Sequence, residues 1–298
     1  MNNIDIKIVE VGPRDGLQNE KLVISTGVKL ELIDRLRKSG LQYIEASSFV
    51  SPKWVPQMAD HLEIAAALSN KPGHFGFLVP NEQGFEKAVN AGVKEIAVFA
   101  AASETFSKKN INCTIQESLD RFRPIIEKGK RLNFFVRGYI SCVAGCPYEG
   151  PIHPKQVLPV AKSLHEFGCD EISLGDTIGV GTPNTVLALL RTIIPIVPLE
   201  RLAVHFHNTY GQAIANIYAS LDAGIRIIDS SVSGLGGCPY AKGASGNVPT
   251  EDVLYLLHGL GYRTGIDLEL LLDAGRWICN ILGILPRSQV GLAKWSRA

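Results

Sequence analysis

The sequence predicts an α/β protein built as a (β/α)8 TIM barrel. Strand-like and helix-like stretches alternate eight times, and the 298-residue length suits one such barrel. Glycines near the ends of several helical stretches, Gly40, Gly92, Gly129, Gly168 and Gly224, punctuate the alternation. An open doubly wound sheet is the weaker alternative. No Gly-x-Gly-x-x-Gly follows the first strand, and Gly179-Val-Gly181 is the nearest approach.

Taken in order, residues 4–11 alternate apolar and polar side chains and read as the first strand. Gly12-Pro-Arg-Asp-Gly16 follows as a turn that presents Arg14 and Asp15 at the strand's C-terminal end. Further strands are expected at 43–46, 74–79, 95–99, 133–140, 171–174 (ending at Asp176), 202–207 and 225–232. Helical spacing covers 28–38, 55–68, 84–91, 115–128, 155–167, 184–194 and 212–223. A polar loop carrying Ser103, Lys108, Lys109 and Asn110 is expected between the fourth strand and its helix. Residues 249–283 supply the last barrel helix and the start of a helical appendage, about 262–298, to a single domain spanning 1–298.

Composition narrows the function. A net charge of +1 without a charge block excludes nucleic acid as a natural partner. No apolar run is long enough for a membrane span, and the N-terminus lacks a basic, apolar leader, so a cytoplasmic protein is expected. Six cysteines in an enzyme-sized chain do not suggest a disulfide framework. Cys142-x-x-x-Cys146 has no second half, which argues against a zinc ribbon.

Residues 233–247 hold five glycines, with Cys238, Lys242 and a terminal Asn247. Such density after a strand and before a helix points to a ligand clamp or lid rather than a plain connection. In a barrel the chemistry sits on the loops after the strands, and closure makes strand 8 a neighbour of strands 7 and 1. His205 and His207 lie at i and i+2 and share one strand face. Asp15 arrives from strand 1 and Asn247 from the loop after strand 8. Imidazole mixed with oxygen donors suits Mg²⁺, Mn²⁺ or a related divalent ion. His-x-His alone reads as readily as a pair of hydrogen-bonded core histidines.

Arg14 can donate two hydrogen bonds to a developing oxyanion, or form a structural ion pair with Glu45 on the neighbouring strand. Asp176 could orient a ligating histidine or cap the following helix. Cys238 could serve as an acid or base.

Several stretches resemble the hydroxymethylglutaryl-CoA lyase family over essentially the whole chain. They are Val11-Gly-Pro-Arg-Asp-Gly-Leu-Gln-Asn19, Ser48-Phe-Val-Ser-Pro-Lys-Trp-Val-Pro-Gln57, residues 173–182, His205-x-His207 and residues 234–247. The Arg-Asp and His-x-His elements alone identify only a wider barrel family of metal-dependent lyases and condensing synthases. The resemblance implies a carbon–carbon lyase that cleaves 3-hydroxy-3-methylglutaryl-CoA to acetyl-CoA and acetoacetate, a step of leucine degradation and ketone-body metabolism.

It also implies Asp15, His205, His207 and Asn247 as ligands of Mg²⁺ or Mn²⁺, Arg14 at the thioester oxyanion and Cys238 as the catalytic thiol. Glu45, Asp176 and Glu251 would support them. Lys21, Asn110 and Ile111 match positions near the acyl-CoA, whose phosphates would also suit Lys108 and Lys109. Asn208 stands where some relatives have Asp. The expected assembly is a homodimer or higher homo-oligomer. The tail 286–298 lacks the cysteine that animal members carry, so no thiol switch of that kind is expected. A condensing synthase and a non-catalytic scaffold are the rivals. The first usually carries a further regulatory region, and the second should have lost Arg14, Asp15 or Cys238.

Overall fold

A computed structural model describes residues 4–237 and 246–295. Eight parallel strands close into a barrel: β1 Lys7–Glu10, β2 Tyr43–Ser48, β3 His74–Leu78, β4 Glu95–Ala101, β5 Phe135–Ser141, β6 Glu171–Asp176, β7 Leu202–Phe206 and β8 Ile227–Ser230. Their order round the barrel is β1-β8-β7-β6-β5-β4-β3-β2, so β8 lies between β7 and β1 as closure requires. Parallel strands are covered on both faces, which is why these stretches are rich in apolar residues. Val9, Val11, Ala203 and Ile227 form one cluster with Tyr43, and Leu78, Ala97 and Tyr139 another. The much larger core, from Ile6 to Ile278, joins the strands to the helices.

The helices are α1 Thr26–Lys38, α2 His61–Leu68, α3 Glu82–Asn90, α4 Glu104–Ile111, α5 Ile115–Arg131, α6 Pro154–Phe167, α7 Pro183–Ile193, α8 Ala213–Asp222, α9 Thr250–Gly259, α10 Leu268–Leu282 and α11 Gln289–Trp295. Local chemistry sets their starts. The Thr114 side chain accepts from Glu117 N while Glu117 accepts from Thr114 N, closing a capping box on α5.

Four expectations are corrected. The polar stretch after β4 is a helix, α4, because Ser103 Oγ accepts from Phe106 N at 3.1 Å and Phe106 is buried. The helix expected at 55–68 is broken into a short 3₁₀ turn, Pro56–Met58, and α2. Strand 8 is shorter than 225–232. Gly129 lies inside α5, where a Cβ would meet Val136 Cγ2 at 3.2 Å, so it permits close helix–strand packing rather than ending a helix. A small hairpin pairing 145–146 with 150–151 was not foreseen. Within the C-terminal appendage, α10 packs against α1 and against the 3₁₀ turn Val232–Gly234, where the glycine-rich stretch begins.

Candidate active site

The site begins at the turn after β1. Residues Gly12–Gly16 form one π-helical turn, tight against the loop that follows β8. A Cβ on Gly16 would stand 2.8 Å from Leu235 Cβ and 2.9 Å from Ser231 Oγ, so only glycine permits this approach. The turn holds Arg14 and Asp15 at the barrel mouth. Arg14 Nε donates to Glu45 Oε2 at 2.7 Å, Nη2 lies 2.6 Å from the same oxygen, and Nη1 donates to Asp15 Oδ1 at 2.9 Å. The ion pair with Glu45 anticipated from strand adjacency is therefore present, and it leaves the guanidinium fixed beside Asp15.

Asp15, His205 and His207 converge: one ligand atom from each lies within 4.8 Å of the others. His205 Nε2 is 4.0 Å from Asp15 Oδ2, and the two imidazole centroids are 5.6 Å apart. Asn247 joins them, its Nδ2 donating to Asp15 Oδ2 at 2.8 Å and to Leu235 O at 3.2 Å. Burial alone would raise the Asp15 pKa, but Arg14 and the two histidines outweigh it and hold the carboxyl at about 2. Desolvation, aided by His205, pushes His207 down to about 4. For His205, burial is outweighed by the hydrogen bond and charge of Asp229 together with Asp15, so its pKa is raised.

These residues fit a divalent cation. His207 is only 7% exposed, yet its Nδ1 has no hydrogen-bond partner among the described residues. A packed core histidine would have satisfied that atom. An ionised carboxylate and a neutral imidazole are the protonation states that ligation needs.

Sequence reading missed the supports behind the cluster. Asp229 of β8 accepts from His205 Nδ1 at 3.2 Å, from Ser173 Oγ at 2.8 Å and from Arg137 Nη2 at 2.6 Å. Among the described residues no hydrogen bond joins the Asp176 side chain to either histidine. The pairing of β6 with β7 sets Gly175 beside His205 and Asp176 beside Phe206, which faces the outer core. Asp176 instead accepts from Val180 N and Gly181 N at 3.2 and 2.7 Å and holds the loop leading to α7.

Glu10, also missed, accepts from Gly12 N and Val232 N, both at 2.8 Å, and from Thr250 Oγ1 at 2.6 Å. Both oxygens of Glu251 accept from Ser233 N at 2.9 Å. Together the two carboxylates brace the stem of the glycine-rich loop. A charged residue inside an apolar strand was the available signal for Glu10 and Asp229.

Cys238 lies outside the described residues. Lys21 and Asn110 are exposed, on the loop before α1 and near the end of α4, and Ile111 closes α4 half-buried. Among the described residues, none of the three reaches the histidine cluster by a hydrogen bond. Lys109 Nζ sits 4.8 Å over the Tyr148 ring. The five described cysteines are free and buried.

The HMGL-like family model matches residues 5–278. The chain belongs to that family. As a member of the HMGL-like family it is 57% identical, over 294 residues and 98% of both chains, to the 3-hydroxy-3-isohexenylglutaryl-CoA/hydroxymethylglutaryl-CoA lyase of Pseudomonas aeruginosa. The crystal structure of hydroxymethylglutaryl-CoA lyase from that organism superposes with a TM-score of 0.96, covering 100% of both chains at 57% identity. A hydroxymethylglutaryl-CoA lyase from Acinetobacter baumannii, solved with coenzyme A and 3-methylmalate, aligns at a TM-score of 0.91 and 35% identity, covering 97% of this chain and 94% of that one.

Proposed function

We propose that the chain cleaves 3-hydroxy-3-methylglutaryl-CoA to acetyl-CoA and acetoacetate, acting as a single catalytic domain with Mg²⁺ or Mn²⁺. The observation that carries this reading is the convergence of Asp15, His205 and His207 beside a fixed Arg14, in a chain 57% identical to a lyase over 98% of its length. Asp15, His205, His207 and the amide oxygen of Asn247 would hold the ion. A divalent ion there would lower the pKa of the substrate's tertiary hydroxyl and steady its oxygens.

The chain's own residues account for the rest. Asp15, ionised at neutral pH, takes the hydroxyl proton; His205, the other candidate base, has Nδ1 engaged by Asp229 and Nε2 directed to the ion. As the C2–C3 bond breaks, C3 becomes the ketone of acetoacetate and the bond's electrons pass into the thioester enolate. The Arg14 guanidinium, clamped by Glu45, offers hydrogen bonds to that enolate oxygen without first having to reorganise. Cys238 then gives a proton to the enolate carbon and releases acetyl-CoA. Lys21, Asn110 and Ile111 contact the CoA moiety, and Lys108 and Lys109 suit its phosphates. No described helix is long and apolar enough to cross a membrane; a cytoplasmic site of action and a homodimer or higher homo-oligomer complete the proposal.

The test is one incubation of purified protein with the substrate and Mg²⁺, followed for acetyl-CoA and acetoacetate. Equal amounts of both, abolished by a chelator and restored by Mg²⁺ or Mn²⁺, are expected. Full turnover in metal-free buffer would remove the metal from the reading. Release of free CoA from acetyl-CoA with pyruvate or 2-oxoisovalerate would replace the lyase with a condensing synthase.

A further inference from the structure

His205 is held on both sides of its ring. Nε2 faces Asp15, and Nδ1 meets Asp229, its register partner on the adjacent strand. Paired residues on neighbouring parallel strands point to the same side of the sheet, so Asp229 and His205 both face the barrel lumen. A carboxylate that takes Arg137 Nη2 and Ser173 Oγ as donors accepts from His205 Nδ1 as well, which places a hydrogen on Nδ1 and turns Nε2 towards Asp15.

Asp229 could be read simply as a counter-ion for Arg137. The geometry argues otherwise. A carboxylate serving only a guanidinium tends to meet it fork to fork through both oxygens. Here Oδ1 meets Arg137 Nη2, while Oδ2 receives Ser173 Oγ and His205 Nδ1. Arg137 is itself steadied by Tyr139 OH at 3.3 Å and by Glu171 Oε2 at 3.4 Å from Nε. The carboxylate is thus fixed by donors from β5, β6 and β7 at once, with one oxygen reserved for Ser173 and the histidine.

We propose that Asp229 is the positioning residue for His205, fixing the ring and its tautomer so that Nε2 is presented to the divalent ion. This rests on the metal reading of Asp15, His205 and His207, and deepens it. Carboxylates behind ligating histidines commonly set ligand orientation and basicity, and their loss costs about 10–100-fold in metal affinity.

The test measures Mn²⁺ binding directly, without substrate, by titration calorimetry or by the loss of free-Mn²⁺ paramagnetic resonance signal. Asp229→Asn should weaken Mn²⁺ by about 10–100-fold. In a His205→Ala background the same change should have no further effect, within about twofold, because the residue acts through His205. Should Asp229→Asn leave Arg137 unbalanced and unfold the barrel, the neutral pair Asp229→Asn with Arg137→Gln serves in its place, with the same two expectations. Unchanged Mn²⁺ affinity, or equal weakening with and without His205, overturns the assignment of Asp229 alone. A parent protein that does not bind Mn²⁺ overturns the metal reading and this proposal with it.

Discussion

Gly236 lies so close to Asn247 that a Cβ on the glycine would stand 2.9 Å from Asn247 Nδ2 and 3.3 Å from Asp15 O. Its φ of +95° is one that L side chains rarely adopt. Gly236→Ala should therefore push Asn247 away from Asp15 as well as strain the backbone, which by itself costs about 1–3 kcal/mol. The expected result is a folded protein with Mn²⁺ binding about tenfold weaker or worse. Parental affinity in this variant would mean that Asn247 does not serve the ion.

Arg14→Gln should leave the chain folded and reduce kcat by about 10²–10³, the usual loss when one preorganised donor to a developing oxyanion is removed. Arg14→Lys should rescue little, because an ammonium cannot span Glu45 and Asp15 as the guanidinium does. Steady-state kinetics with both variants, alongside a thermal melt, separates the catalytic loss from any loss of stability.

His207→Ala removes a buried ligand and spares Asp15. The metal concentration for half-maximal activity should rise by at least tenfold, with activity partly recovered at high Mn²⁺. A variant with parental metal dependence would return His207 to the role of an ordinary core residue.

The barrel was legible because its strands are short apolar runs between helices of ordinary spacing, a pattern with few alternative folds. The meeting of Asp15 with His205 and His207 was legible for a topological reason, since closure brings the ends of strands 1, 7 and 8 together. Helix α4 was not. Its eight residues, Glu-Thr-Phe-Ser-Lys-Lys-Asn-Ile, are mostly polar, and part of what fixes them is distant in sequence: Glu149 Oε1 accepts from Thr105 N at 2.6 Å. Asp229 was hidden for a related reason. That it faces His205, and that Asp176 does not, follows from strand register, and a one-residue shift would exchange the two faces.

Cys238→Ala keeps the size of the loop side chain nearly unchanged and removes only the thiol. Loss of a positioned acid or base costs about 10²–10⁴ in rate. A fall of that order in kcat is expected, with Mn²⁺ affinity within a few-fold of the parent. A thiol-alkylating reagent should label Cys238 before the five buried cysteines, which peptide mapping can check. Near-parental kcat in the variant would move proton delivery from the thiol to solvent.

Two buried carboxylates give the fold a pH dependence of definite sign. Burial lifts Glu10 from 4.5 to about 7 and Glu251 from 4.5 to about 8, outweighing the donors that each accepts from. Between pH 4.5 and 8 the folded protein therefore keeps protons on these groups that the unfolded chain has already released. A state that binds more protons is favoured at low pH, so their contribution to stability falls as pH rises. Each group contributes a slope of up to about 1.4 kcal/mol per pH unit between its two pKa values. Melting temperature should accordingly decline from pH 5.5 to pH 8.5, and Glu251→Gln, which cannot titrate, should flatten part of that decline. Both carboxylates hold the stem of the glycine-rich loop, through Val232 N and Ser233 N, so hydrogen exchange at these two amides should quicken over the same interval more than in the barrel strands. A melting temperature that climbs steadily through this range would show that Glu10 and Glu251 are ionised in the folded protein.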